Sequence, residues 1–282
     1  MADIRKQNPV TLFFTYVLVV LFTILAIYPI FWVIMSSLKT TQEYMLNSKL
    51  ALPKLLFFKN YPLAWSNSTP NFTILILNSI FYTVLTVVSI IILSFMAGFA
   101  FAKLPSKLTP VLHGSFIIGI LITLQCIMIP LFLIIRGVGL IDTRLGVLIP
   151  YIGIGLPMAV YLSTEYIKSI PNEVIESARI DGAKYLYVFR TIVMPMAAPV
   201  ATTVAILTVT GTWNEFMLIN ILVASDNLKT IPVGMRQFAG ALATDYGKQF
   251  AAMVIGMMPM IIFYAIFRKQ ITKGVSAGAV KG

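Results

Sequence analysis

Charge is scarce in this sequence. Only 11% of its 282 residues are Asp, Glu, Lys or Arg, and only ten are acids. An ordinary soluble domain carries about 25% charged residues. The hydrophobic share is 59%. Together these figures exclude a disordered chain and almost any soluble enzyme, because a water-soluble fold cannot hide that much apolar surface. Cysteine occurs once, at Cys126, which excludes a disulfide scaffold. Histidine also occurs once, at His113, so no zinc-type ligand cluster is expected. No phosphate-binding G-x-x-x-x-G-K-[ST] loop is present: the one Gly-Lys pair, Gly247-Lys248, runs into Gln249. No nucleophile and base stand at a spacing that suggests catalysis, and no catalytic residue is assigned.

What the sequence does have is long apolar runs, uncharged except for Glu215 in the fifth. Residues 10–34, 72–102, 111–135, 145–164, 196–223 and 250–267 are each apolar enough to cross a bilayer, which takes about 20 residues. The runs are continuous rather than alternating, which excludes a membrane-spanning strand barrel. The first is too long for a signal-peptide core and lacks a small-x-small cleavage site, so it reads as a retained helix. The fourth is interrupted by Pro150, Gly153, Gly155 and Pro157, which are tolerated where neighbouring helices satisfy the freed backbone groups. The expected chain is therefore a single all-α membrane domain over 1–282 with six spans.

The net charge of +11 has a plain origin. Basic residues sit between the apolar runs, without the basic–aromatic interleaving of a nucleic-acid surface, and no nucleic-acid partner is expected. Six spans put both termini on one side. The loops on that side hold twelve Lys and Arg against nine on the other, which favours cytoplasmic termini.

The segment 166–195, between the fourth and fifth runs, concentrates the charge. Glu173, Glu176, Arg179, Asp181, Lys184 and Arg190 all fall within it. Pro171 suits a helix start, with Glu173 in the first turn near the positive helix end. Gly182 can close that helix in a left-handed conformation. Lys184 to Val193 reads as a second short helix, ended by Met194-Pro195. The reading from residues alone is two short helices joined at a glycine elbow. An interfacial amphipathic loop lying on lipid remains the alternative.

The order of residues here resembles a family signature. Glu176-Ser177-Ala178, three residues, Gly182, nine residues, then Ile192-Val193-Met194-Pro195 is similar to the E-A-A, three, G, nine, I-x-L-P pattern of binding-protein-dependent ABC transporter permeases. Ser177 and Met194 are mild departures. Ala178 to Ala183, A-R-I-D-G-A, resembles the carbohydrate-importing, maltose permease-like group. Trp213-Asn214-Glu215-Phe216 is similar to that group's W-N-E-[FY], and Ala277 to Gly282 to its C-terminal A-G-A-V-K-G.

The resemblance implies the type I importer permease fold, with 166–195 as a cytoplasmic coupling loop docked on a separate ATPase. It implies that Glu173, Glu176, Ser177, Ala178, Arg179, Asp181, Gly182, Ala183 and Pro195 make that contact. It implies a second homologous permease, an ATP-binding cassette ATPase dimer and an extracellular solute-binding protein as partners, in a prokaryotic cytoplasmic membrane. ATP and Mg2+ would belong to the ATPase, and this chain would bind no cofactor. The resemblance also places 224–247 in an outer loop near the binding protein, and the tail beyond Arg268 towards the ATPase. Gln125, Trp213, Asn214 and Glu215 are the candidates for the substrate pathway. Glu215 is the one acid well inside a span, where a charge costs about 2.5–3.5 kcal/mol on insertion scales. It is either an acceptor facing the pathway or a structural bond between helices. Three rivals remain: an ion-coupled secondary transporter, a membrane anchor or scaffold without a pore, and a permease of this family for a non-sugar solute such as a glycerol phosphate.

Overall fold

A computed structural model describes residues 9–66, 70–104, 106–238 and 245–279, with backbone only at 9 and 271–279. Arg5, Lys6, part of 224–247 and the last three residues of the C-terminal motif lie outside the described residues. Among the described residues there is no strand. The helices, in chain order, are α1 Pro9–Ser37, α2 Thr41–Leu46, α3 Asn60–Ser66, α4 Phe72–Lys103, α5 Thr109–Ile120, α6 Leu124–Gly137 and α7 Arg144–Lys168. There follow α8 Asn172–Ile180, α9 Tyr185–Val188, a π-turn Phe189–Val193, α10 Met194–Met196, α11 Ala198–Trp213, α12 Met217–Leu222, α13 Ile231–Gly234 and α14 Tyr246–Ala279.

Four of these helices are long and apolar enough to cross a membrane: α1, α4, α7 and α14. Two bent pairs raise the number to as many as six. One is α5 with α6, bent by 109°. The other is Tyr185–Met196 with α11, bent by 76°. The apolar run 111–135 is thus two helices broken at residues 121–123, and the run 196–223 is broken at 214–216. By contrast α7 is continuous through Pro150 and Pro157.

The described residues fall into two compact units. One is drawn from 9–66 and 235–258. Along α1 nearly every side chain from 10 to 31 is both apolar and exposed, the surface that lipid requires. Beyond α1 this unit closes around aromatic rings: Phe250 lies 5.1 Å from both Trp32 and Tyr44. The buried Asn60 amide donates to the carbonyls of Ser37 and Lys39, satisfying the turn that ends α1.

The other unit is drawn from 70–234 and 259–279. Its centre is the crossing of α4 and α7. Gly98 lets the two helices approach closely: a Cβ there would lie 2.5 Å from the Ser163 hydroxyl and 3.0 Å from the Thr164 nitrogen. The Ser163 hydroxyl donates to the Ser94 carbonyl at 2.7 Å across the same contact. Small residues and interhelical hydrogen bonds are how helices hold together where lipid is as apolar as leucine.

The α6–α7 connection is locked by two left-handed residues. Gly139 has φ +71° and closes α6, with Leu140 N–H donating to the Ile135 carbonyl. Asp142 has φ +57°, and its N–H donates to the Leu222 carbonyl. Its carboxylate accepts from the Ala224 and Ser225 N–H groups and from the Ser225 hydroxyl. The Ser225 hydroxyl and N–H, helped by the Ala224 N–H and the charge of Lys229, hold the Asp142 carboxyl below its usual range and outweigh the opposing effect of burial. A lowered carboxyl value stabilises the fold above the ordinary carboxylate range, and that contribution fades as pH falls through the depressed value. Asp142→Ala should cost about 1 kcal/mol after solvent screening. Thermal unfolding in detergent should show this difference at pH 7 and show it shrinking towards pH 3.

Candidate functional site

The segment 166–195 forms a knob. Pro171 caps α8 and Glu173 lies in its first turn. Helix α8 ends in a Schellman motif: Gly182 has φ +84°, its N–H donates to the Arg179 carbonyl, and the Ala183 N–H donates to the Ala178 carbonyl. Arg179 braces the elbow from outside, donating to the Ala183 carbonyl at 2.7 Å, with its guanidinium 4.2 Å from the Tyr185 ring centre. Ser177 donates to the Glu173 carbonyl one turn back. The second expected helix runs without a gap from Tyr185 to Met196, as α9, the π-turn and α10, with Pro195 exposed near its end.

The knob has two faces. Ile175, Val188 and Val193 point inward into one core with Phe95 and Phe99 of α4 and Ile167 of α7. Ala178 and Ala183 pack against that core. Outward, Ile180 is 85% exposed and Leu186 69%. Glu173, Glu176, Asp181 and Gly182 share the exposed side, and among the described residues no salt bridge holds the three acids. An apolar tip rimmed by charged side chains of both signs, Glu173, Glu176 and Asp181 with Arg179 and Lys184, on a base locked into the helix core, suits a protein-docking surface.

A residue the sequence reading passed over completes the base. Lys103, the last residue of α4, donates to the Ile170 carbonyl at 2.5 Å, to the Asn172 side-chain oxygen at 2.7 Å and to the Lys168 carbonyl at 3.5 Å. Its position in a last helical turn is a sequence signal, but its partners lie more than sixty residues away.

The second feature is a cavity of about 430 Å³. Tyr151, Gly155 and Met158 of α7, Thr208 of α11, and Glu215 contribute to its lining. Glu215 sits at the break between α11 and α12. Its carboxylate accepts from the Tyr151 hydroxyl at 2.8 Å, the Leu218 N–H at 2.7 Å and the Ile219 N–H at 3.2 Å. It thus caps α12, satisfying donors the helix itself leaves unpaired. The other three pathway candidates are not in this lining. Trp213 is buried, Gln125 is exposed, and the exposed Asn214 donates to the Thr210 carbonyl. Glu215→Leu should sharply lower the amount of folded chain, because it strands two backbone donors and a buried tyrosine. Glu215→Gln keeps one acceptor oxygen and should lower it less. Size-exclusion recovery after detergent extraction measures both.

The sequence profile of the binding-protein-dependent transport system inner membrane component matches residues 90–277, a stretch that contains both the knob and the cavity. The chain belongs to this family. The permease is 32% identical to the multiple sugar-binding transport system permease protein MsmG of Streptococcus mutans over 281 residues, covering 98% of this chain and all of that one. It is 32% identical to the trehalose transport system permease protein SugB of Mycobacterium tuberculosis, covering 91% and 93% of the two chains. It is 33% identical to a probable ABC transporter permease protein of Bacillus subtilis, covering 95% and 88%. Among solved structures it matches a chain of a bacterial ABC transporter involved in the import of the acidic polysaccharide alginate. The TM-score is 0.83 at 25% identity, over 95% of this chain and 99% of that one. The permease is a multi-pass membrane protein with the type I importer fold, as the sequence signature implied.

Proposed function

We propose that this permease forms half of the translocation pathway of an ATP-driven carbohydrate importer, moved by a separate ATPase through the knob at 171–195. The observation that carries the reading is the knob's construction. Its outer face exposes the apolar Ile180 and Leu186 among charged side chains of both signs, while Ile175 and Val188 root it in the core of α4 and α7. A docked element transmits force only if it is rigid relative to the spans it joins. Glu173, Glu176, Ser177, Ala178, Arg179, Asp181, Gly182, Ala183 and Pro195 form or flank this contact. ATP and Mg2+ reside in the ATPase dimer, whose closure favours one permease state by differential affinity. The full-length likeness to permeases named for sugars supports the substrate class. A second permease completes the pathway and an extracellular solute-binding protein loads it. The knob and both termini face the cytoplasm of a prokaryotic cell.

Glu215 lines the cavity with Tyr151, Thr208 and Thr212 and is the leading pathway residue of this chain. Gln125 and Asn214 are exposed and available to the half completed by the second permease. Burial of Trp213 favours a packing role.

The test is uptake by the purified transporter in liposomes without an ion gradient. Labelled maltose, trehalose, raffinose and glycerol phosphate are each presented with the solute-binding protein. Uptake of one sugar that requires internal ATP supports the reading. Uptake driven by a gradient without ATP, or of glycerol phosphate alone, overturns it.

A further inference from the structure

We propose that Lys103 is a positioning residue that ties the base of the knob to α4, so that movement of the knob drives α4 together with α7. The inference rests on the reading of the knob as the ATPase contact. The chain itself links the knob only to α7 on one side and α11 on the other. Helix α4 has no covalent connection to it, yet ends beside its root. The apolar core there, with Ile175 and Val188 against Phe95 and Phe99, holds the parts together but is non-directional, and such a contact can slide or rotate. Lys103 adds direction. An ammonium has three donors, and three oxygens meet it: the carbonyls of Lys168 and Ile170 and the amide oxygen of Asn172. Two of these belong to the linker that leaves α7 and begins α8. The charge also complements the unsatisfied carbonyls at the α7 terminus. One side chain from α4 therefore fixes the angle at which α8 leaves α7.

The two anchors differ in what their loss does. Removing core volume would unfold the knob. Removing Lys103 leaves the core intact and frees the linker to pivot, so docking persists while force no longer reaches α4. Charge-assisted hydrogen bonds are worth enough for their removal to cost roughly tenfold in the coupled step.

The experiment uses the full transporter reconstituted in liposomes. ATP hydrolysis per assembled complex is measured with and without the solute-binding protein. A nitroxide on Tyr187→Cys, in a Cys126→Ser background, reports knob mobility in the same samples. Lys103→Met should assemble in normal amounts, lose roughly tenfold of the binding-protein stimulation and give a more mobile label. Lys103→Arg and Asn172→Asp should retain most of the stimulation, since each keeps a charged pin. Should Lys103→Met fail to assemble, Asn172→Leu removes one bond while leaving the cation, and should give an intermediate loss. Full stimulation in Lys103→Met overturns the proposal. So does failure of both Lys103→Met and Asn172→Leu to assemble, or unchanged label mobility. Gly182→Asp separates this from the underlying reading. If Gly182→Asp is also fully active, the knob itself is not the coupling element. If it is inactive while Lys103→Met is active, only the role of Lys103 falls.

Discussion

Gly182→Asp should reduce ATP-driven uptake at least about tenfold while the chain still folds and inserts. The expectation follows from two properties of the elbow. A left-handed conformation costs most L-residues about 1–2 kcal/mol, but Asp is among those that adopt it. The φ of +84° therefore imposes only modest strain on this variant. Within the chain, a Cβ at Gly182 meets nothing within 4 Å. The permease alone has room for the new side chain. Any large loss must arise where something else approaches that face, next to Asp181 and Glu176. Uptake, normalised to the permease recovered by affinity purification, measures it. Normal uptake would sink the assignment of the knob as the coupling element, and loss of the chain itself would assign Gly182 to folding. Gly182→Val sharpens the comparison, since a β-branched residue at this φ is strained whatever docks there.

Gly98→Val should prevent accumulation of folded permease. A Cβ at Gly98 already lies 2.5 Å from the Ser163 hydroxyl and 3.0 Å from a backbone nitrogen of α7. The hydroxyl could turn aside, at the cost of its bond to the Ser94 carbonyl. The Thr164 nitrogen cannot, because it is part of a continuous helix. Two further methyl groups would force α4 and α7 apart where their backbones approach closely. Overpacking in a close-fitted core costs about 1–3 kcal/mol or more. Separation at this point also opens the core that roots the knob. Detergent-extracted yield and thermal unfolding would show the effect. A Gly98→Val chain with wild-type yield and unfolding midpoint would mean that the crossing is looser than these distances. Ser163→Ala makes a milder comparison, near the average of about 0.6 kcal/mol for such bonds in membranes.

Much of this architecture is legible in the residues. Continuous apolar runs mark the spans, because the hydrocarbon core tolerates little else. The elbow at Gly182 is legible because a helix with acids at its start and a glycine after its end carries its own punctuation. The breaks at 121–123 and 214–216 are not. Leu121-Ile122-Thr123 contains neither proline nor glycine, and its apolar neighbours hide the turn inside one hydrophobic stretch. Glu215 offered a clue there: an acid three residues before Leu218 is where a helix start would place it. The bond from Lys103 to Asn172 was out of reach, since it depends on how two distant helices cross. Which of the pathway candidates share a cavity depended on the same long-range packing.

The π-turn at Phe189–Val193 has a consequence for loop length. The Met194 N–H reaches back five residues, to the Phe189 carbonyl, instead of four. The turn stores one more residue than an α-helix would need. Each residue of an α-helix advances the chain by about 100° around its axis. Winding the same residues as ordinary α-helix would therefore rotate the knob against its span by roughly that angle. The loop would keep its composition, and its apolar tip would face elsewhere. The wide turn thus acts as a phase setting: it takes up one residue so that the segments on either side keep their mutual orientation, and deleting one residue here should relax the turn into ordinary helix with little rotation.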